Sequence, residues 1–179
     1  MKIKAAALLL GCLLAMPAWA ADFRLTSPDI AEGKSMAGRH VFKGFGCAGD
    51  NISPALAWSG APAGTKSFAL MVYDPDAPTG SGWWHWVVYN LPAATASLPS
   101  GASQAGLPPG TVQGRTDYGT SGYGGPCPPP GTPHRYVFTL HALDVDALSL
   151  PADASAAMVG FMVNSHSLAK TSLTALYGR

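Results

Sequence analysis

The chain has 179 residues, of which 47% are hydrophobic and only 12% are charged, and its formal net charge is +1. This composition excludes an extended disordered chain, and the weak charge argues against nucleic-acid binding through phosphate neutralisation. The length predicts one domain, and 21 glycines and 16 prolines favour a loop-rich fold of short strands.

Residues 1–20 are predicted to be a secretory signal peptide. A lysine-containing start leads into an apolar run over 5–15, and Ala18-Trp19-Ala20 supplies small residues for cleavage before Ala21. The apolar run is too short to cross a bilayer as a helix. A lipoprotein cleavage site at Leu10-Gly11-Cys12 is the alternative, although the bulky Leu10 stands where a small residue is usual.

The mature chain, 21–179, is predicted to be a single domain without a transmembrane segment, periplasmic or secreted. Cleavage would leave Cys47 and Cys127 as an even pair in an oxidising compartment, where disulfides persist. A disulfide is therefore favoured for this pair. A thiol nucleophile or a metal ligand remains the alternative, although neither cysteine lies in a C-x-x-C motif.

Strands separated by Gly- and Pro-rich loops are predicted along most of the mature chain. Near-continuous apolar runs of strand length indicate strands that are covered on both faces. The glycine-rich run 44–49 spells G-x-G-x-x-G, but Pro54 follows closely and no helix can begin there to receive a pyrophosphate. The predicted strands are His40–Phe42, Leu56–Trp58, Ser67–Tyr73, Trp84–Leu91 and Arg135–Leu143.

Only the end of the chain has a helical pattern. Asp153, after Pro151, is predicted to cap a helix from Ala154 to about Leu168, whose apolar residues should pack closely against the rest of the protein. The segment Lys170–Tyr177 is either a last strand or an extension of this helix.

Three features at loop edges carry side chains suited to binding. Asp74-Pro75-Asp76-Ala77-Pro78 follows a predicted strand on a backbone that proline restricts. His85 lies within an aromatic strand, and the loop 125–133 leads directly into His134-Arg135-Tyr136. Taken singly, these features are also typical of an Asp-Pro turn, a core histidine and a proline-rich connection.

Together, the three features resemble the two signature regions of the phosphatidylethanolamine-binding protein (PEBP) family, and in particular its bacterial Raf-kinase-inhibitor-like branch, the YbhB/YbcL group. The resemblance extends from Asn51-Ile52-Ser53-Pro54 to the Leu173–Arg179 end. It implies a mainly β fold, a PEBP-like β-sandwich of two packed antiparallel sheets with a few short helices, one of them near the C-terminus.

The resemblance also implies a small pocket for a phosphate-like or phosphoethanolamine-like anion. No cofactor is expected and no metal, because Asp74-x-Asp76 and His85 have no metal-specific spacing. Gly124 and Gly125 are expected to line this pocket through backbone N–H groups, and Pro75 and Pro78 to shape its wall. The expected ligand-binding residues are Asp74, Pro75, Asp76, Pro78, His85, Gly124, Gly125, His134 and Tyr136.

Two carboxylates in such a pocket should repel a phosphate. One resolution is a histidine that donates to an aspartate, is favoured in its charged form and then donates to the phosphate, with Tyr136 adding a hydroxyl. The other places an ammonium group beside the aspartates. Both predict that anion affinity falls as the pH rises through the range in which histidine loses its proton.

Other functions remain alternatives. A weak phosphoester hydrolase could use the Asp/His set as a general base. For a serine hydrolase, 119–123 lacks the last glycine of the G-x-S-x-G motif and 79–83 lacks the first. The family's eukaryotic members bind and inhibit kinases or proteases, an activity that these motifs do not carry over. A protein-interaction module with a vestigial pocket, such as an exported inhibitor or modulator of a kinase or a protease, would use any exposed part of Trp83-Trp84.

Overall fold

The computed structural model describes residues 22–151 and 153–179. The predicted signal peptide lies outside the described residues. Ten strands, two α-helices and one 3₁₀ turn follow each other along the chain. In order, they are β1 (Arg24–Thr26), a 3₁₀ turn (Gly38–His40), β2 (Lys43–Gly44), β3 (Cys47–Ala48), β4 (Leu56–Ser59), β5 (Ser67–Asp74), β6 (Trp83–Pro92), β7 (Ser97–Leu98), α1 (Ala102–Ala105), β8 (Val112–Gln113), β9 (His134–Leu143), α2 (Ala156–Ser165) and β10 (Ser167–Tyr177).

The strands form three antiparallel sheets. The largest has five strands in the order β10-β9-β5-β6-β8, a second has the order β1-β4-β7, and β2 pairs with β3 as a small hairpin. The mainly β fold with packed antiparallel sheets, which the resemblance implied, is therefore confirmed. None of the helices in the described ranges is long and apolar enough to cross a membrane.

The five-stranded sheet is covered on both faces, which explains the continuous apolar runs in the sequence. Alternate residues of a strand point to opposite faces. Phe68 and Leu70 of β5 belong to a core with Trp58 of the three-stranded sheet, whereas Ala69 and Met71 belong to a second core with α2. A strand with apolar neighbours on both sides needs no polar alternation.

The predicted helix is present but shorter than expected. Ser155, not Asp153, caps α2, because its hydroxyl oxygen accepts a hydrogen bond from the Met158 N–H at 3.2 Å. The helix ends at Ser165 because the next residues enter the large sheet, where Ser167 pairs with Leu143. Of the two alternatives for Lys170–Tyr177, the strand is therefore the one observed.

The predicted strand at His40–Phe42 is wrong. His40 ends the 3₁₀ turn, in which its N–H bonds to the Ala37 carbonyl and the Val41 N–H bonds to the Gly38 carbonyl. Its side chain is fully buried, and its Nδ1 lies 2.7 Å from the Ile52 carbonyl oxygen. The apolar character of this segment therefore comes from burial beside a loop and not from a sheet.

Candidate ligand-binding site

A cavity of about 170 Å³ lies at one end of the five-stranded sheet. The end of β5 lies there beside the beginnings of β6 and β9, because neighbouring antiparallel strands run in opposite directions. The volume is below the roughly 300–1,000 Å³ of pockets for drug-sized ligands, so it suits a small molecule or one end of a larger one. The lining residues are Phe45, Asp74, Ala77, Pro78, Thr79, Trp83, His85, Tyr118, Cys127, Pro128, Pro129, His134 and Tyr136.

Five of the predicted site residues meet in this cavity. They come from separate parts of the chain and are brought together by the sheet: Asp74, Pro78, His85, His134 and Tyr136. The resemblance had grouped these residues, and the strand order gives the physical reason for their proximity.

Asp74 and His134 form a hydrogen-bonded pair in the cavity wall. His134 Nδ1 lies 2.7 Å from Asp74 Oδ2, and Asp74 Oδ1 accepts the Asp76 N–H at 2.8 Å. Asp74 is buried, so its carboxylate is held in one orientation. With Nδ1 bound to the carboxylate, Nε2 is the nitrogen of His134 that remains for a ligand.

His85 is almost completely buried and is fixed by the backbone of a neighbouring loop. Its Nδ1 lies 2.7 Å from the Gly124 carbonyl oxygen. Burial lowers the pKa of His85 to about 4, and the hydrogen bond to Gly124 and the charge of Asp74 oppose this shift only in part. His85 is therefore neutral near pH 7, and the imidazolium of the electrostatic hypothesis cannot be His85.

Two residues that line the cavity carry hydrogen-bond donors without an acceptor in the described part of the chain. Trp83 Nε1 and the Tyr136 hydroxyl are buried and have no hydrogen-bond partner among the described residues. Burial, more than the nearby charge of Asp74, raises the pKa of Tyr136, so its O–H keeps its proton. Unsatisfied buried polar groups are costly, and those at a cavity point to a ligand or water that satisfies them.

Four of the nine expected residues do not line the cavity, and two of these four, Asp76 and Pro75, lie outside it. Asp76 faces away and holds Arg135, whose Nη2, Nε and backbone N–H lie 2.7, 2.9 and 2.9 Å from its carboxylate oxygens. The hydrogen bonds to Arg135 lower the pKa of Asp76 to about 2. Pro75 lies at a groove on the opposite face of the sheet, beside Trp84. The cavity therefore contains one carboxylate, not two.

Gly124 and Gly125 support the cavity in a different way from the one expected. Their N–H groups already donate within the protein, to the His85 carbonyl at 2.8 Å and to Asn51 Oδ1 at 2.7 Å, so neither is free for an anion. A Cβ at Gly124 would lie 2.4 Å from the Tyr118 ring, and one at Gly125 would lie 2.0 Å from the His40 carbonyl oxygen. The glycines are required for close packing.

Sequence reasoning did not place Phe45, Tyr118 or Asn51 at the site, and it treated Trp83 only as a possible contact surface. Phe45 and Tyr118 line the cavity with stacked rings 5.8 Å apart, and the Tyr118 hydroxyl donates to the Gly125 carbonyl at 2.7 Å. The Asn51 side chain donates to the Tyr123 carbonyl and accepts from Gly125, which secures the loop that holds His85. The only signal for Phe45 was its place between two glycines, which indicated a turn.

The tryptophan pair does not form one exposed patch. Trp83 lines the cavity, whereas Trp84 packs on Tyr73 at the opposite face, with ring centroids 4.5 Å apart. Both are partly buried. Adjacent residues of a strand point to opposite faces, so the pair cannot act as a single contact surface.

The cavity has the chemistry of a binding site. Cys127 is bonded to Cys47, as favoured from the sequence, and so offers no thiol. Within residues 22–151 and 153–179, no group of three or more His, Cys, Asp or Glu side chains is arranged to hold a metal ion. What the cavity offers is a set of fixed donors and acceptors: the Trp83 and Tyr136 donors, the His85 and His134 rings and the Asp74 carboxylate.

Similarity to known proteins agrees with this fold. Residues 26–178 match the family model described as phosphatidylethanolamine-binding protein. The chain is 56% identical over 156 residues to the Escherichia coli (strain K12) protein YbhB, covering 86% of this chain and 99% of YbhB. It is 51% identical over 164 residues to YbcL of the same organism, covering 89% of this chain and 90% of YbcL.

Solved structures show the same likeness. The crystal structure of E. coli YbcL, described as a new member of the mammalian PEBP family, matches with a TM-score of 0.87 at 50% identity, covering 89% of this chain and 99% of that one. A putative PEBP homolog from Chlamydia trachomatis matches with a TM-score of 0.75 at 34% identity, covering 88% of this chain and 97% of that one.

Proposed function

The chain belongs to the phosphatidylethanolamine-binding protein family, and we propose that it is an exported protein whose cavity binds a small phosphate-type anion. One observation carries the proposal: of the four buried side-chain polar atoms without a partner among the described residues, two, Trp83 Nε1–H and the Tyr136 O–H, belong to residues that line this cavity, whereas Trp58 and Thr111 do not line it. Oxyanion oxygens are the acceptors that such donors need. The Asp74–His134 pair supplies a third group that can donate when its imidazole is protonated.

The second aspartate no longer opposes this proposal. Because Asp76 is bound to Arg135 outside the cavity, a phosphate would face one carboxylate, and that carboxylate already accepts two hydrogen bonds. The repulsion that two carboxylates would cause is thereby reduced. An ammonium group of the ligand beside Asp74 would reduce it further.

Asp74 and Asp76 provide a matched pair of variants that tests the proposal. We expect Asp74→Asn to weaken binding of inorganic phosphate or phosphoethanolamine by roughly tenfold or more, because His134 loses the charged partner that orients it. Asp76→Asn, two residues away, should leave the affinity within about twofold, since its side chain lies outside the cavity. Isothermal titration calorimetry of the purified protein measures both.

His134→Ala should weaken binding as Asp74→Asn does. Equal affinities for the wild type, Asp74→Asn and His134→Ala would place any anion elsewhere on the protein. Failure of the wild type to bind either ligand would contradict the proposed function directly, and the family fold would then serve some other partner.

Export is the second part of the proposal. The leader pattern of 1–20 supports it, and so does the Cys47–Cys127 disulfide, because structural disulfides are rare in a reducing cytosol. Intact-mass analysis of the protein produced with its leader in a Gram-negative host should give a chain that starts at Ala21. A lipid-modified chain that starts at Cys12 would contradict the cleavage site.

A further inference from the structure

The protonation state of the His85 ring is set by its surroundings. A carbonyl oxygen can only accept, so the 2.7 Å contact with the Gly124 carbonyl requires the hydrogen to be on Nδ1. With the ring neutral, Nε2 carries a lone pair. Nε2 has no hydrogen-bond partner in the described part of the chain. His85 therefore offers the cavity an acceptor and not a donor.

Burial keeps His85 in this state, although the backbone of Gly124 and Gly125 and the nearby acidic groups act in the opposite direction. Asp74 at the end of β5 and Asp117 in a neighbouring loop are the acidic groups that act on the ring, and both oppose the effect of burial without overcoming it. Tyr118 and Tyr136 contact the ring edge to face, with centroids 5.6 and 5.0 Å away, and burial raises the pKa of both phenols, so they stay neutral.

The cavity therefore presents both donors and acceptors to one ligand. Trp83 and Tyr136 supply N–H and O–H donors, whereas His85 Nε2 and the Asp74 carboxylate accept. An anion whose oxygens can only accept would satisfy the two donors, but its lone pairs would face the lone pairs of the two acceptors. An anion that also carries a proton satisfies the donors and the acceptors, and polar mismatches in a small buried site are penalised strongly.

We propose that the cavity selects phosphorus oxyanions that carry a P–OH group, namely inorganic phosphate and phosphomonoesters, over phosphodiesters and sulfonates, with His85 as the residue that determines this specificity. The inference rests on the proposed function and deepens it. A phosphomonoester keeps its P–OH below a second pKa of about 6. A diester, as in an intact phospholipid headgroup, has no such proton at all, so the free headgroup is favoured over the lipid.

The decisive test compares anions of the same shape and charge. At pH 5.5, methylphosphonate is a monoanion with a P–OH group, whereas methanesulfonate is a tetrahedral monoanion without a proton. Because both are measured at one pH, the charge of the protein, including His134, is the same in the two titrations. We expect methylphosphonate to bind about tenfold or more tightly than methanesulfonate, measured by calorimetry on the wild-type protein.

A second pair of ligands distinguishes the free headgroup from the headgroup of an intact phospholipid. Phosphoethanolamine is a monoester and glycerophosphoethanolamine is a diester, and both carry the same ammonium group. At the same pH, the monoester should bind the more tightly. A diester that binds equally well would overturn the inference for headgroups, and equal binding of methanesulfonate and methylphosphonate would overturn it altogether.

The variant His85→Phe keeps an aromatic ring and removes the acceptor. Where it folds, as judged by circular dichroism, it should bind the two one-carbon anions within about twofold of each other, and a retained preference would exclude His85 as its source. The wild-type comparison decides the inference even where this variant does not fold. No binding of phosphate or methylphosphonate would overturn the proposed function as well, whereas binding without selectivity overturns only the inference.

Discussion

Cys47→Ser together with Cys127→Ser is expected to lower the free energy of unfolding by roughly 2–4.5 kcal/mol. The disulfide joins residues 80 positions apart, and the chain-entropy argument for a loop of that length gives at most about 4.5 kcal/mol. Urea denaturation of the oxidised wild type and of the double variant, followed by tryptophan fluorescence, measures the difference. Wild type unfolded in the presence of a reductant is the matched control and should agree with the variant.

The local structure indicates why this cross-link should matter. It ties the β2–β3 hairpin, whose strands have only two residues each, to the proline-rich loop that follows Cys127. The hairpin carries Phe45 and the loop carries Pro128, and both residues line the cavity. We therefore expect the reduced protein to bind anions more weakly than the oxidised protein does.

Arg179 also connects the β2–β3 hairpin to the proline-rich loop, independently of the disulfide. Its Nε donates to the Pro128 carbonyl at 2.6 Å, and its Nη2 lies 3.5 Å from the Phe45 carbonyl. A loss of stability below about 1 kcal/mol in the double variant would contradict the prediction, because a structural disulfide typically contributes more. It would mean that contacts of this kind hold the hairpin in place without the cross-link.

The strands of the large sheet could be predicted because their sequences carry a strong signal. Ser67–Asp74 and His134–Leu143 lie between layers, so nearly every position of their central segments is apolar. The segment His40–Phe42 contains the same kinds of residue, yet it is buried beside a loop and has no strand partner of its own. Local composition reports burial, and it does not distinguish a sheet from a packed turn.

The site residues could likewise be predicted only in part. The resemblance grouped Asp74, His85 and His134, and the neighbouring strand ends explain why they meet. Asp76 shares its short segment with Asp74, but successive residues can face different sides, and which of the two aspartates points inward depends on Arg135. Such a contact between positions 59 apart leaves no trace in local sequence.

The glycines and the supporting residues were predictable only in part. The resemblance implied free N–H groups at Gly124 and Gly125, but the actual role of these glycines is set by the Tyr118 ring and by Asn51. Their role follows from packing between distant segments, and only the three-dimensional structure supplies that.

Acidification from pH 6.5 towards pH 4 is expected to destabilise the protein by about 3 kcal/mol through His85 alone. Burial lowers its pKa from 6.5 to about 4 in the folded state, so between these values the unfolded chain binds more protons than the folded one. Stability therefore rises with pH in this window. The full contribution is present above about pH 6.5 and is lost as the pH falls towards 4.

His141 should add a loss with the same sign. Burial, assisted by Lys170, lowers its pKa to about 4 as well. Asp76 contributes only near the acid end of this window and with the same sign, because its pKa is lowered from 3.8 to about 2 and both states keep it ionised at higher pH. The acid response between pH 6.5 and 4 therefore reports mainly on the two buried histidines.

Urea midpoints at pH 4.5, 5.5, 6.5 and 7.5 measure this dependence. His85→Phe should flatten it whatever its absolute stability, because the slope depends only on the difference in bound protons between the two states. His166→Gln is the control, since His166 lies partly exposed at the end of α2, 3.0 Å from Asp144. A wild-type stability that is flat across the window would mean that folded His85 takes up its proton near the ordinary histidine pKa of 6.5, and below that pH Nε2 would face the cavity as a donor.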